Sequence, residues 1–207
     1  MSIDLPYISA FLSKVEGPRQ TTGYIPCFLK AGGSANYKGG PNPERYTAMG
    51  SSGVTIATGC DLGQTDYKTL TGYGLDPSIA AIFNPYFGKK KDAAIRLLHE
   101  RPLVISSANA LALDLAVHGG YLSRYVIPAY EQDSRSSFAS LPKQAQAVIM
   151  SICFQKGVGG TRRGAPITWK HLCNHDWAAA SHELIHGFRD YAGRRKAEGR
   201  LLLEICQ

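Results

Sequence analysis

One short stretch constrains the fold more than any other. Gly53-Val54-Thr55-Ile56-Ala57-Thr58-Gly59-Cys60-Asp61-Leu62-Gly63-Gln64 runs β-branched residues directly into a turn punctuated by glycines. Val54, Thr55 and Ile56 favour a short strand, because branching at Cβ restricts χ1 and packs well on a pleated surface. Gly59 and Gly63 supply the backbone freedom of a tight reversal. The rest of the chain reads mostly at helical period. Leu5, Ile8, Leu12 and Val15 share one face over residues 3–15, and Gly17-Pro18 stops that helix. Further helices are predicted over 77–83 and 89–99, and from Ser106 or Ser107 as N-cap to about His118. Others fit roughly 119–131, 143–156, 167–172, 175–187 and 193–205. Gly157-Val158-Gly159-Gly160 reads as a helix stop. A small β element in a mostly helical chain predicts an α+β fold.

The same two places hold the residues best suited to chemistry. Glu16 ends the first helix, where the negative pole of the helix dipole disfavours a second negative charge. Thr55 lies on the predicted strand, and Asp61 follows six positions later on the turn. One carboxylic acid, one carboxylate and one hydroxyl are what hydrolysis of a glycosidic bond by water requires. The acid protonates the leaving oxygen, and the carboxylate and hydroxyl hold and activate the water.

The string from Gly53 to Gly63 resembles the Gly-x-Thr-Ile-Gly-x-Gly-x-Asp-Leu-Gly signature of the pesticin-type branch of phage-type lysozymes. Glu16-Gly17 is similar to that family's Glu-Gly at the end of its first helix, and Gly23-Tyr24-Ile25-Pro26 to the Gly-Tyr-Val-Pro that follows. Gln144 to Gly157 resembles the central helix, and Arg194-Arg195-Lys196-Ala197-Glu198 the C-terminal Arg-Arg-x-x-Glu. The likeness implies a single lysozyme-like catalytic domain over 1–207, with two lobes and a small β element. It implies a muramidase that cuts the β-1,4 bond between N-acetylmuramic acid and N-acetylglucosamine. Glu16 would be the general acid. Asp61 would polarise a water and stabilise oxocarbenium character, and Thr55 would orient that water, by an inverting route. No metal or organic cofactor is implied. The partner is the glycan strand of peptidoglycan and, for an interbacterial toxin, an immunity protein that plugs the cleft; the protein itself is expected to be a monomer.

The chain departs from the family pattern at two points. Ala57 and Cys60 stand where the family has Gly and an aromatic residue. Alanine reaches positive φ at a cost that glycine avoids, so the turn must differ or be strained. Residues 27–52, rich in Gly, Pro, Asn and Ser, read as a loop insertion, either a long ordered loop or an irregular hairpin.

The 207 residues carry a formal net charge of +7, which suits an anionic polymer or surface. No nucleic-acid-binding fingerprint accompanies the short basic runs at Lys89–Lys91, Arg162-Arg163 and Arg194–Lys196, so nucleic acid is not the expected partner. Arg194, Arg195 and Glu198 read as a structural ion-pair cluster. Five cysteines, an odd number without a C-x-x-C pair, argue against a disulfide framework and a cysteine zinc site. A bond between Cys27 and Cys60 stays open at this level. Neither an export signal nor a membrane-spanning stretch is read, so access to the wall is expected through phage lysis or a secretion machine.

Two other readings stand beside the lysozyme reading. His182-Glu183-Leu184-Ile185-His186 is a literal H-E-x-x-H, which on a helix could place two imidazoles on zinc with Glu183 as base of a metallopeptidase. The continuation to a third His is absent, since Gly187-Phe188-Arg189-Asp190 follows. The third reading is a non-catalytic wall- or nucleic-acid-binding module whose site is closed by Ala57, Cys60 and the insertion.

Overall fold

The computed structural model describes residues 2–206, which form two compact units. One unit comprises residues 16–120. It carries an antiparallel sheet built around a long strand β1 (Gln20–Leu29). The N-terminal half of β1 pairs with β4 (Thr55–Ala57). Its C-terminal half pairs with β2 (Ser34–Tyr37) and β3 (Tyr46–Ala48). A two-residue strand β5 (Cys60–Asp61) completes the sheet against β4. Helices α2 (Tyr67–Gly72), α3 (Pro77–Ile82), α4 (Lys91–Glu100) and α5 (Ser107–Tyr121) follow; α5 leaves the unit after Gly120.

Burial along β1 alternates from Gly23 onward, with Gly23, Ile25 and Cys27 inward. Ile25 and Cys27 join Ile56, Cys60, Leu62, Leu98 and Leu113 in one apolar core. Successive side chains of a strand point to opposite faces, so Tyr24 and Pro26 lie on the other side. Gly23 lets β1 approach its neighbours closely: a Cβ there would sit 2.9 Å from Leu103 Cβ and 3.1 Å from Val54 Cγ1.

The other unit comprises residues 1–15 and 121–207 and is all helical among its described residues. It holds α1 (Leu5–Glu16) as far as Val15, then α6 (Ile127–Ser134), α7 (Lys143–Lys156), α8 (Val158–Gly164), α9 (Pro166–Cys173), α10 (Trp177–His186) and α11 (Ala192–Leu203). In α7 every residue from Ala145 to Cys153 is buried. A helix buried all round needs apolar or internally bonded residues on every face. Gln146 meets that demand, donating from Nε2 to the Leu141 carbonyl at 3.0 Å and accepting from Asp4 N at 3.2 Å.

Most predicted helices appear within a residue or two of their expected ends. Of the two serines before α5, Ser106 is the cap, its Oγ accepting from Asn109 N at 3.1 Å. Of the two readings for residues 27–52 the hairpin holds: β1 pairs antiparallel with β2 across a turn, and with β3 beyond a 3-10 turn at Pro43–Arg45. Two readings are corrected. Gly157 does end α7, with φ +70, but Gly159 and Gly160 lie inside α8. The single helix expected over 119–131 is divided, because a π-helical segment at Leu122–Val126 separates α5 from α6. All five cysteines are free thiols, so Cys27 and Cys60 are not joined. Burial pushes the Cys60 thiol up to about 12, with the charges of Asp114 and Asp61 adding to the effect.

Candidate active site

Glu16 is the last residue of α1. Gly17 then turns the chain at φ +113, a conformation that glycine adopts without penalty. Two residues beyond Gly17, Arg19 leads into β1, so the acid lies next to the sheet in sequence and in space. Glu16 is exposed and lines a depression of about 190 Å³ in the 16–120 unit. Its wall includes Tyr24 of β1, Asn36 and Lys38 from the β2 hairpin, and Thr58.

Cross-strand register organises the neighbouring side chains. Tyr24 is the Cα partner of Thr55, and Thr55 is the partner of Asp61. Directly opposed residues share a face, so Tyr24, Thr55 and Asp61 form a row across β1, β4 and β5. Ile56 and Cys60, also partners, occupy the opposite face in the core. Thr55 and Asp61 are not in the wall of the depression that holds Glu16; Tyr24 is common to both groups. Burial raises the Tyr24 phenol above its ordinary value, and the negative charges of Glu16 and Asp61 raise it further. The phenol therefore stays protonated at neutral pH, a hydrogen-bond donor in the field of both carboxylates.

Backbone amides hold the Asp61 carboxylate. Oδ1 accepts from Gly63 N at 2.8 Å, and Gly53 N reaches both oxygens at 3.1 and 3.2 Å. The Gly63 bond also caps the 3-10 turn Leu62–Gln64. Glycine is required at both positions for space. A Cβ on Gly53 would lie 2.5 Å from the Lys89 carbonyl oxygen, 2.6 Å from Gly63 Cα and 2.8 Å from Asp61 Oδ1. Thr55 Oγ1 makes a long bond of 3.4 Å to the Gly53 carbonyl.

Ala57 has φ +55 and is buried, so the turn is strained where the sequence indicated. The residue after it is pinned. Thr58 donates from N (2.8 Å) and from Oγ1 (2.7 Å) to Asp114 of α5, which also accepts from Arg19 Nε at 2.5 Å. Asp114 thus ties the strained turn and the segment after Glu16 to one helix. His118 lies one turn along α5. Burial drives its imidazole down to about 4, opposed by Asp114 and assisted by Arg19.

Residues 7–178 match the sequence model of a family described as Pesticin, bacterial toxin homologue of phage lysozyme, C-term. The chain belongs to the Pesticin family. Its α+β architecture, mostly helical with a small antiparallel sheet, is consistent with a lysozyme-like fold. Pesticin-family homology with phage lysozyme supports a muramidase-type peptidoglycan hydrolase at the level of the family. No curated protein matches the chain.

The Pesticin match includes Glu16, Thr55 and Asp61 and ends before the two C-terminal motifs. Arg194, Arg195 and Glu198 form a buried cluster in the helical unit: the Glu198 carboxylate meets Ser151 Oγ at 2.6 Å, Arg195 at 2.8 Å and Arg194 at 3.2 Å. Burial pushes the Glu198 carboxyl upward, and the two guanidinium groups oppose that shift. His182 and His186 sit on the exposed surface of α10 with ring centroids 4.8 Å apart. Among the described residues no third His, Cys, Asp or Glu joins them in a group able to hold a metal. Glu183 is turned toward Gly187, its Oε2 only 2.8 Å from where a Cβ on that glycine would stand.

Sequence reasoning missed the roles of Tyr24, Asn36, Lys38 and Asp114. Tyr24 was visible within the Gly-Tyr-Ile-Pro string, but its pairing with Thr55 depends on strand register. Asp114 stands in a helical stretch with nothing local to mark it.

Proposed function

We propose that this protein is a muramidase that hydrolyses the β-1,4 bond between N-acetylmuramic acid and N-acetylglucosamine. The observation that carries the reading is the Tyr24–Thr55–Asp61 row beside Glu16 in a chain of the Pesticin family. Glu16, exposed at the depression, donates its proton to the glycosidic oxygen. Asp61 is held by two amides, so its position is fixed before substrate arrives, which lowers the reorganisation needed in the transition state. Oδ2 receives only the longer of the Gly53 bonds and keeps acceptor capacity for a water. Thr55, on the same face, orients that water, which attacks the anomeric carbon and gives up a proton to Asp61 as the bond to the leaving oxygen breaks. An inverting outcome follows when the water attacks from the face opposite the leaving group. The chain needs no cofactor for this step. It acts on the bacterial wall as a phage endolysin or an interbacterial effector, reaching it through lysis or secretion, and as an effector it would be paired with an immunity protein. No described helix is long and apolar enough to cross a membrane.

Turbidity clearing of purified sacculi tests the assignment. Wild type should clear them, and Asp61→Asn and Thr55→Ala should each slow clearing by about a hundredfold or more. Clearing by Asp61→Asn at the wild-type rate would remove Asp61 from the chemistry.

A further inference from the structure

A second cavity, of about 390 Å³, opens in the 16–120 unit where the β1–β3 region meets α4. That volume lies in the range of roughly 300–1,000 Å³ usual for small-ligand sites. Ile95 is its buried apolar wall, and Tyr46, which packs on Tyr37 with ring centroids 4.8 Å apart, is its aromatic one. Besides Pro43 and Thr47, the lining carries four exposed charged side chains: Lys30 and Arg96, Glu44 and Asp92. Among the described residues, no ion pair and no side-chain hydrogen bond engages any of them. Two cations and two carboxylates facing one cavity, each left for solvent or a ligand, are what a molecule bearing both signs of charge would pair with. An uncharged sugar ring would use the aromatic wall and leave the four charges idle.

We infer that this cavity binds a short zwitterionic peptide, and that the peptide is the stem of the bacterial wall. Wall stems carry free carboxylates and, at the diamino acid, a free ammonium. The assignment to the wall rests on the proposed muramidase reading, while binding of the peptide itself does not. The residues involved belong to strands and turns of the 27–52 segment and to α4. Lys30 and Arg96 take the carboxylates, Glu44 and Asp92 the ammonium, and Tyr46 with Ile95 the aliphatic stem. The site gives the chain a grip on peptide-bearing strands separate from the groups that cut the glycan.

The test is calorimetric titration of the full chain with the synthetic tetrapeptide L-Ala-D-isoGlu-meso-diaminopimelate-D-Ala. Saturable binding is expected, and the double variants Lys30→Gln/Arg96→Gln and Glu44→Gln/Asp92→Asn should each weaken it by at least about tenfold. All four side chains are exposed, so both variants should melt like wild type. Tetraglycine, a zwitterion without the diamino acid, should bind at least about tenfold more weakly. No binding at millimolar peptide, or binding that neither variant changes, overturns the site; equal binding of tetraglycine overturns the assignment to the wall. In parallel, wild type should cut peptide-bearing strands faster than strands stripped of peptide, and Lys30→Gln/Arg96→Gln should remove that difference. Failure to cut stripped strands at all would count against the muramidase reading and leave the titration as the test of the cavity.

Discussion

Replacing Asp114 by alanine should destabilise the protein out of proportion to the size of the side chain removed. Asp114 is 2% exposed and accepts three hydrogen bonds, two of them from Thr58, itself 3% exposed. Removing the carboxylate takes away the acceptor that the buried Thr58 N–H and hydroxyl share, at about 1–3 kcal/mol for each bond lost. Arg19 has a side chain 29% exposed and can turn to water, so its lost ion pair adds little. The expected loss is about 3 kcal/mol, toward the lower end of what breaking a buried pair costs. Asp114→Asn keeps an acceptor for Thr58 N and should cost about 1 kcal/mol. A double-mutant cycle sharpens the test. Thr58→Val alone removes one bond to Asp114 and costs about 1 kcal/mol, whereas in the Asp114→Ala background that bond is already gone and the substitution should cost less. Urea unfolding at constant m-value reads all four corners. A loss below about 1 kcal/mol for Asp114→Ala, or additivity of the two substitutions, would refute the claim that Asp114 pins the turn.

Other outcomes follow from the same geometry. Gly53→Ala places a methyl against the Lys89 carbonyl and the Asp61 carboxylate, so it should lower the melting temperature and reduce sacculus clearing by about tenfold or more. Gly40→Ala, where a Cβ meets nothing within 4 Å, should do neither; matching effects of the two in melting and clearing assays would contradict the cradle. His118, whose folded-state value lies near 4 against an ordinary 6.5, takes up its proton more readily in the unfolded chain. Its contribution is present above pH 6.5 and is lost as pH falls toward 4, and His118→Gln should flatten that slope in urea titrations from pH 7 to 4.5. EDTA should leave clearing unchanged, as should Glu183→Gln, whereas loss of clearing in both would turn the chemistry toward His182 and His186.

Most helices were legible in the sequence to within a residue or two of their ends. Lys143–Lys156 was read to its ends because a strong run stops at a glycine with positive φ. The segment 27–52 was half legible: its Gly, Pro and Asn marked reversals, but the pairing of β3 with β1 is a long-range choice that local composition does not carry. Gly159 and Gly160 misled because tertiary packing holds α8 against their poor helix propensity. At the site, Glu16, Thr55 and Asp61 were nominated as candidates from chemical type and resemblance, and the strain at Ala57 was legible from the penalty on its φ. The partners that hold them were not legible. Asp61 is fixed by the backbone of Gly53 and Gly63, and Thr58 by a side chain 56 positions away. Such contacts depend on register and packing, which appear only once the sheet and α5 are assembled.

Product analysis of peptide-stripped glycan strands, digested by wild type and Glu16→Gln, tests the central claim most directly. Borohydride reduction followed by mass spectrometry identifies the sugar at each new reducing end. The account expects reducing muramic acid ends from wild type and a rate at least about a hundredfold lower from Glu16→Gln. Reducing glucosamine ends, or an undiminished rate in Glu16→Gln, would contradict it.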